Sequence, residues 1–185
     1  MDRATNRCRY RRRYFDHELG EFVTYKCPRQ AVTERGFCEF HDPDYWREHE
    51  KEVRSKFEEM IKRAQEKPEK LLYIGFNLPS VVVRGEFKKP VYFREAKFHQ
   101  EADFRYVEFH HKADFSKAEF QLAGFGFTEF HHETDFSFAK FQLADFLDAE
   151  FHHEVYFRYA EFQLANFYCA KFYQKADFPL PSSIS

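Results

Sequence analysis

No stretch of this 185-residue chain approaches 18 consecutive apolar residues, and its Arg-rich start has no apolar run behind it. That pattern predicts neither a membrane span nor a signal peptide, and the expectation is a soluble, cytoplasmic protein. Cysteine is scarce, four in all, which in an intracellular chain points to thiols or metal ligands rather than a disulfide framework. A Ser/His/Asp or Cys/His set is missing, and so is a phosphate-cradling Gly loop. Nothing asks for a reaction, and a non-enzymatic protein is expected. Charge of one sign is not in excess either: residues 1–70 hold 17 basic and 15 acidic side chains, residues 71–185 hold 12 and 16.

Methionine occurs twice and tryptophan once, yet there are 26 phenylalanines, a bias that calls for a repeat search. From Phe87 to Phe178 a Phe recurs every five or six residues without a break in register. Two positions before each stands a small or β-branched residue, mostly Ala, as at Ala113, Ala118, Ala123 and Ala139. From Phe115 the steps run 5, 5, 5, 6 three times over, a 21-residue super-repeat; between Phe87 and Phe115 they run 6, 5, 6, 5, 6. Neither the 3.6-residue period of a helix nor the 2-residue period of a strand fits. A coil with four short sides does, with Phe and the small residue pointing inward and successive turns stacked about 4.8 Å apart. The small residue leaves room for the Phe, and the sixth residue becomes a bulge at a fixed corner. An imperfect first coil is expected to use Leu71, Phe76 and Val81 or Val82, with Ile74 in the small position before Phe76.

AlaAspPhe at 102–104, 113–115, 144–146 and 176–178 and AlaAsnPhe at 165–167 resemble the pentapeptide-repeat family over residues from about 85 to 178. The resemblance implies a mainly β fold, a right-handed quadrilateral β-solenoid. Proteins of that family include inhibitors and protectors of type II topoisomerases, and several dimerise through their C-terminal ends, so a homodimer through the solenoid end is a possible assembly here.

Upstream, Cys8, Cys27, Cys38 and His41 form C-x18-C-x10-C-x2-H. Three thiolates and an imidazole are a tetrahedral zinc set, with Cys38/His41 as the knuckle; three unrelated buried thiols are the alternative. Four ligands with no vacancy describe one structural Zn2+ rather than a catalytic one, and His17 is a spare ligand. The spacing, with CysArgTyr at 8–10 and GlyPheCysGluPheHis at 36–41, resembles the Cys3His module of the plant WRC domain, which implies DNA binding. The first gap is longer here, an insertion ending near Gly20. Arg3, Arg7, Arg9, Arg11, Arg12 and Arg13 face only Asp2 in this stretch, a cluster suited to phosphate or a solvated arm. From Asp42 as N-cap and Pro43 as first helical residue, a helix is expected to about Lys67, with Trp46, Val53, Phe57, Met60, Ile61 and Ala64 on a stripe covering the first coil. The organisation expected is a zinc module (1–42), a capping helix (43–68), the solenoid (69–178) and a tail (179–185).

Stacking predicts ladders of outward residues 21 apart. One holds His110/His111, His131/His132 and His152/His153, with Tyr173/Gln174 above and His99 below; a second holds Gln121, Gln142 and Gln163 beside Leu122, Leu143 and Leu164. The His ladder reads as a metal-binding or pH-sensitive stripe, or as outward aromatics multiplied by coil duplication, the simpler reading. Asp145 and Asp148 read as solvated carboxylates. Outward Phe127, Phe138, Leu147, Tyr159 and Tyr168 form a protein-binding patch, with Cys169 as a bystander. The expected function is a binding adaptor: zinc module and Arg7, Arg9, Arg11, Arg12 and Arg13 dock on nucleic acid or a nucleoprotein (DNA, RNA or a ribosome), while the rigid solenoid presents a protein-binding face. The alternatives are a DNA mimic acting on a topoisomerase, for which the solenoid is only weakly anionic, and a structural homo-oligomeric scaffold.

Overall fold

The structure, a computed structural model, describes residues 6–16, 19–64 and 71–178. Residues 71–178 form a four-sided parallel solenoid of about five coils, consistent with a pentapeptide repeat. Leu71 pairs with Val91, Val91 with Ala113, Ala113 with Thr134, Thr134 with Val155 and Val155 with Ala176, so the coils are 20, 22, 21, 21 and 21 residues long. One sheet stacks Leu71–Leu72, Val91–Tyr92, Ala113–Asp114, Thr134–Asp135, Val155–Tyr156 and Ala176–Asp177; a second stacks Glu86–Phe87, Glu108–Phe109, Glu129–Phe130, Glu150–Phe151 and Lys171–Phe172. The remaining two sides share strands that run through the corner between them, such as Glu119–Gly124 and Lys140–Asp145. In Lys97–Asp103 that corner carries the extra residue of the long coil as a register shift against Phe120/Leu122, the expected bulge.

Each inward Phe stacks on the one a coil away. Phe93, Phe115, Phe136 and Phe157 sit 5.2, 5.1 and 5.1 Å apart within 9° of parallel, whereas rings from adjacent sides meet edge-on, as Phe115 and Phe125 do at 78°. Offset stacks along the axis and T-contacts across it are the two favourable aromatic arrangements. Ala96, Ala113, Ala118 and Ala139 are fully buried between the columns.

Where a unit carries Asp or Asn before its Phe, that side chain has a structural task. After the Phe the chain turns a corner in a type II turn: Ala118 N–H donates to the Phe115 carbonyl with Lys117 at φ 59°, and the same happens with Glu95, Tyr106, Phe127, Phe138, Asp148, Tyr159 and Cys169 at positive φ. The preceding side-chain oxygen accepts the N–H inside that turn, the carboxylates of Asp114 from Ser116 (2.9 Å), Asp135 from Ser137 (2.8 Å) and Asp145 from Leu147 (3.1 Å), and the amide oxygen of Asn166 from Tyr168 (3.0 Å). Asp145 is therefore a turn cap rather than a solvated carboxylate.

The first coil differs from expectation. Its register places Leu78 against Phe98 and Asn77 against Lys97, so Phe76 lies under Ala96, in the small column, and Ile74 does not precede it as a small-position residue. Tyr73 stacks under Phe93 at 5.0 Å as the true ring position. A large residue fits in the small column here because no further coil lies beneath; Phe40 fills that space, stacked on Phe76 at 4.6 Å and 3°.

The N-terminal part covers this open end with a hairpin of β1 (Arg11–Asp16) and β2 (Glu21–Lys26) and with helices α1 (Tyr45–Glu48) and α2 (Glu50–Ala64). The single helix expected from Pro43 starts at Tyr45 and breaks at His49, where φ −123° and ψ 31° leave the helical range. The His49 N–H still donates to the Tyr45 carbonyl at 3.2 Å, and the His49 ring, stacked on Tyr45 at 3.9 Å, lies 3.1 Å from the same oxygen. The N-cap is Asp44 rather than the expected Asp42, and its side chain makes no cap bond; Asp42, two residues before it, accepts from the N–H groups of Asp44 and Tyr45 instead. Val53, Phe57, Ile61 and Ala64 are buried against the solenoid, while Trp46 on α1 stacks on His99 at 4.4 Å. The expected helix end at Lys67 and the tail from residue 179 lie outside the described residues. Among those described, no helix is long and apolar enough to cross a membrane.

Candidate metal centre and basic hairpin

The hairpin pairing continues past β1 and β2. Arg7 bridges Gln30, the Cys8 N–H donates to the Arg29 carbonyl (2.9 Å) and the Cys27 N–H to the Tyr10 carbonyl (3.1 Å), all in the register that pairs Arg11 with Lys26. The long gap between Cys8 and Cys27 is thus a hairpin folded back on itself, and its stem brings the two thiols together. Strand alternation then sorts the stem. Cys8, Tyr14, Asp16, Tyr25 and Cys27 are buried, whereas Arg7, Arg9, Arg11, Arg13 and Lys26 are exposed.

Cys38 and His41 come from a tight turn in which the His41 N–H donates to the Cys38 carbonyl at 3.0 Å. All four ligand atoms lie within 4.8 Å of one another, and all four residues are buried. Cys27 Sγ is 3.8 Å from Cys38 Sγ; His41 Nδ1 is 3.1 Å from Cys38 Sγ and 3.6 Å from Cys8 Sγ. A tetrahedral ion with sulfur at ~2.3 Å and nitrogen at ~2.0 Å spaces its ligands about 3.5–3.8 Å apart, so the cluster is sized for one metal ion. His41 Nε2 lies 2.9 Å from the Ile74 carbonyl, a contact that requires the proton on Nε2 and leaves the Nδ1 lone pair for the ion. Tyr10 stacks on the imidazole at 3.9 Å.

The thiols press on one another electrostatically. Burial pushes Cys8 up; the bond to Cys27 and burial push Cys38 up; the bond from Cys38 holds Cys27 down, to about 4. One thiolate is comfortable in this pocket, and the other two thiols stay protonated unless a cation joins them. His17, the spare ligand, lies outside the described residues.

Of the five arginines singled out in the sequence, Arg12 alone points the other way: its guanidinium pairs with Glu95 of the solenoid at 2.6 Å. Arg13 lies over the Phe22 ring at 4.8 Å, and Phe22 meets Phe15 edge-on at 5.3 Å. Among the described residues, Arg7, Arg9, Arg11 and Arg13 have no carboxylate partner.

Sequence reasoning missed the seam that joins module to solenoid. Gly75 sits at φ 68°, and a Cβ there would lie 1.9 Å from Tyr10 Oη, so Tyr10 needs this glycine. It also misplaced His99, which lies beside Asn77 and Trp46 on another side. The register Phe87 to Phe109 sets Lys88 beneath His110 instead. No protein-family model, no curated protein and no solved structure matches this chain.

Proposed function

We propose that the chain is a non-enzymatic adaptor whose metal-pinned hairpin docks on the phosphate backbone of nucleic acid, free or within a nucleoprotein, while the solenoid serves as its rigid body. Three thiolates and one imidazole in a closed tetrahedron suit Zn2+ in a structural role, as in WRC-type modules. The observation that carries the reading is the sorting of the arginines: Arg7, Arg9, Arg11 and Arg13 leave one side of an extended segment at alternate positions, about 6.8 Å apart, with Lys26 across from Arg11 and exposed Phe22 beside Arg13. A row of cations with no carboxylate partner among the described residues, beside a stacking aromatic, suits a polyanionic strand. A DNA mimic is less well supported, because Lys97, Glu119, Lys140 and Glu161 alternate in sign up one ladder. The corner aromatics Tyr106/Phe127 and Phe138/Tyr159, stacked and exposed, are the surface for a protein partner.

Binding of the full-length chain to short DNA and RNA at 50 and 200 mM salt tests this. Five phosphate contacts predict an affinity loss on the order of 100-fold or more across that range. Replacing Arg7, Arg9, Arg11 and Arg13 by Ser should flatten the salt slope, whereas Arg12→Ser, which cuts an internal pair, should leave it unchanged. Absence of binding at 50 mM, or equal slopes for the two variants, would sink the proposal.

A further inference from the structure

The second parallel sheet carries an outward column that coil duplication alone does not explain. Glu86, Glu108, Glu129 and Glu150 stand in strict register, one coil apart. Like charges facing one another at that spacing repel. The two end members are neutralised locally, Glu86 by Lys88 at 3.0 Å and Glu150 by Lys171 at 2.6 Å. Glu150 also accepts the Tyr173 hydroxyl at 3.1 Å. Glu108 and Glu129, in the middle, have only imidazoles as charge partners among the described residues: Glu108 lies 3.4 Å from His110 Nε2 and 3.9 Å from His131 Nε2, and Glu129 lies 3.4 Å from His131 Nε2 and 3.7 Å from His152 Nε2.

These separations are too long for ordinary hydrogen bonds, and the Nε2 atoms of His110, His131 and His152 are buried without a hydrogen-bond partner among the described residues. The three rings stack at 4.9 and 4.9 Å, within 5° of parallel, so their Nε2 atoms all face the carboxylate column. The result is two overlapping triads, Glu108/His110/His131 and Glu129/His131/His152, each with its ligand atoms within 4.8 Å. The sequence carried the signal as GluPheHis at 108–110, 129–131 and 150–152, residues two apart on one face of a strand.

We propose that this ladder is a second metal site, binding one divalent ion of the zinc class through two imidazoles and a carboxylate, with water completing the sphere. Imidazole with carboxylate suits Zn2+, Co2+, Ni2+ or Cu2+ and disfavours Mg2+ and Ca2+. Two donors at the ~2.0–2.2 Å such ions require stand about 3.3–3.6 Å apart, so binding tilts two neighbouring imidazoles out of their parallel 4.9 Å stack toward the shared carboxylate. His131 belongs to both triads and has one Nε2 lone pair, so the ladder holds one ion at a time.

Titration of the full-length, reduced protein with Co2+ tests this independently of the nucleic-acid reading. Thiolate-to-cobalt absorption reports the Cys3His centre, and ladder binding is the uptake that adds none. One such equivalent is expected for the wild-type chain. His131→Ala, an outward substitution that leaves the Phe core untouched, breaks both triads and should abolish it. His110→Ala and His152→Ala each leave one triad and should retain it. No uptake beyond the thiolate centre in the wild-type chain, or undiminished uptake in His131→Ala, overturns the proposal.

Discussion

Tyr73 stands where each later coil has a Phe on this side, and its hydroxyl is buried with no partner among the described residues. Burial accordingly pushes its phenol above the ordinary range. A buried hydroxyl without a bond costs about 1–3 kcal/mol, so Tyr73→Phe is expected to raise the unfolding free energy by about 1 kcal/mol, read from the denaturant midpoint at unchanged slope; a lower midpoint would mean that the hydroxyl is satisfied. Asp135 is the second residue at odds with its surroundings. Burial lifts its carboxyl above the usual carboxylate range, and Asp114, one coil away, adds to the effect. A folded-state pKa above the unfolded one means that the ionised form costs stability at neutral pH, a cost that fades as pH falls through the raised value toward ~3.9. Asp135→Asn keeps an acceptor for the Ser137 N–H, and its amide can donate to the carboxylate one coil away, as Asn166 Nδ2 already does to Asp145 at 2.9 Å. The expected gain is on the order of 1 kcal/mol at pH 7, shrinking in acid; thermal melts at pH 7 and pH 4 would contradict this if the variant were less stable at pH 7 or its gain grew in acid.

At the scale of elements, the helix stripe was legible because Val53, Phe57, Ile61 and Ala64 recur at 3.6-residue spacing, and all four are buried. The break at His49 was not legible, since the apolar stripe read from Trp46 to Ala64 runs through it without interruption. The coil itself was readable because every inward position repeats the same chemistry. The first coil was not, because its inward residues answer to Phe40 and Phe57 rather than to another coil. Phe57 is fully buried, edge-on to Tyr73 at 5.5 Å and beside Phe93 at 6.2 Å. Truncating such a ring typically costs about 3–5 kcal/mol, and Phe57→Ala is expected to show that loss in equilibrium unfolding. Arg63→Ala, on the exposed side of α2, should stay within about 0.5 kcal/mol. Similar effects for the two would mean that α2 does not seal the solenoid end.

For the whole molecule, the Cys3His cluster is where the two architectures are joined. The four clustered residues were readable from their types and the knuckle spacing; the hairpin between Cys8 and Cys27, and the contact of His41 Nε2 with the Ile74 carbonyl, were not, because both depend on chain pairing at long range. That contact and the Tyr10–Gly75 seam tie the ligand cluster to the first coil. The solenoid, by contrast, draws its stability from coil-to-coil contacts, with fully buried Phe104, Phe115, Phe125 and Phe136 far from the cluster. Removing the proposed ion should therefore separate the two parts: without a cation the crowded thiols no longer hold hairpin, knuckle and first coil together, but the interior coils keep their stacks. Hydrogen exchange on protein treated with a chelator under reducing conditions is expected to lose amide protection at Cys8, Cys27 and His41 and along β1 and β2. Protection across residues 113–157 should persist. Loss of protection throughout would show that the centre governs one cooperative unit, and unchanged protection at Cys27 and His41 would show that packing alone holds the module in place.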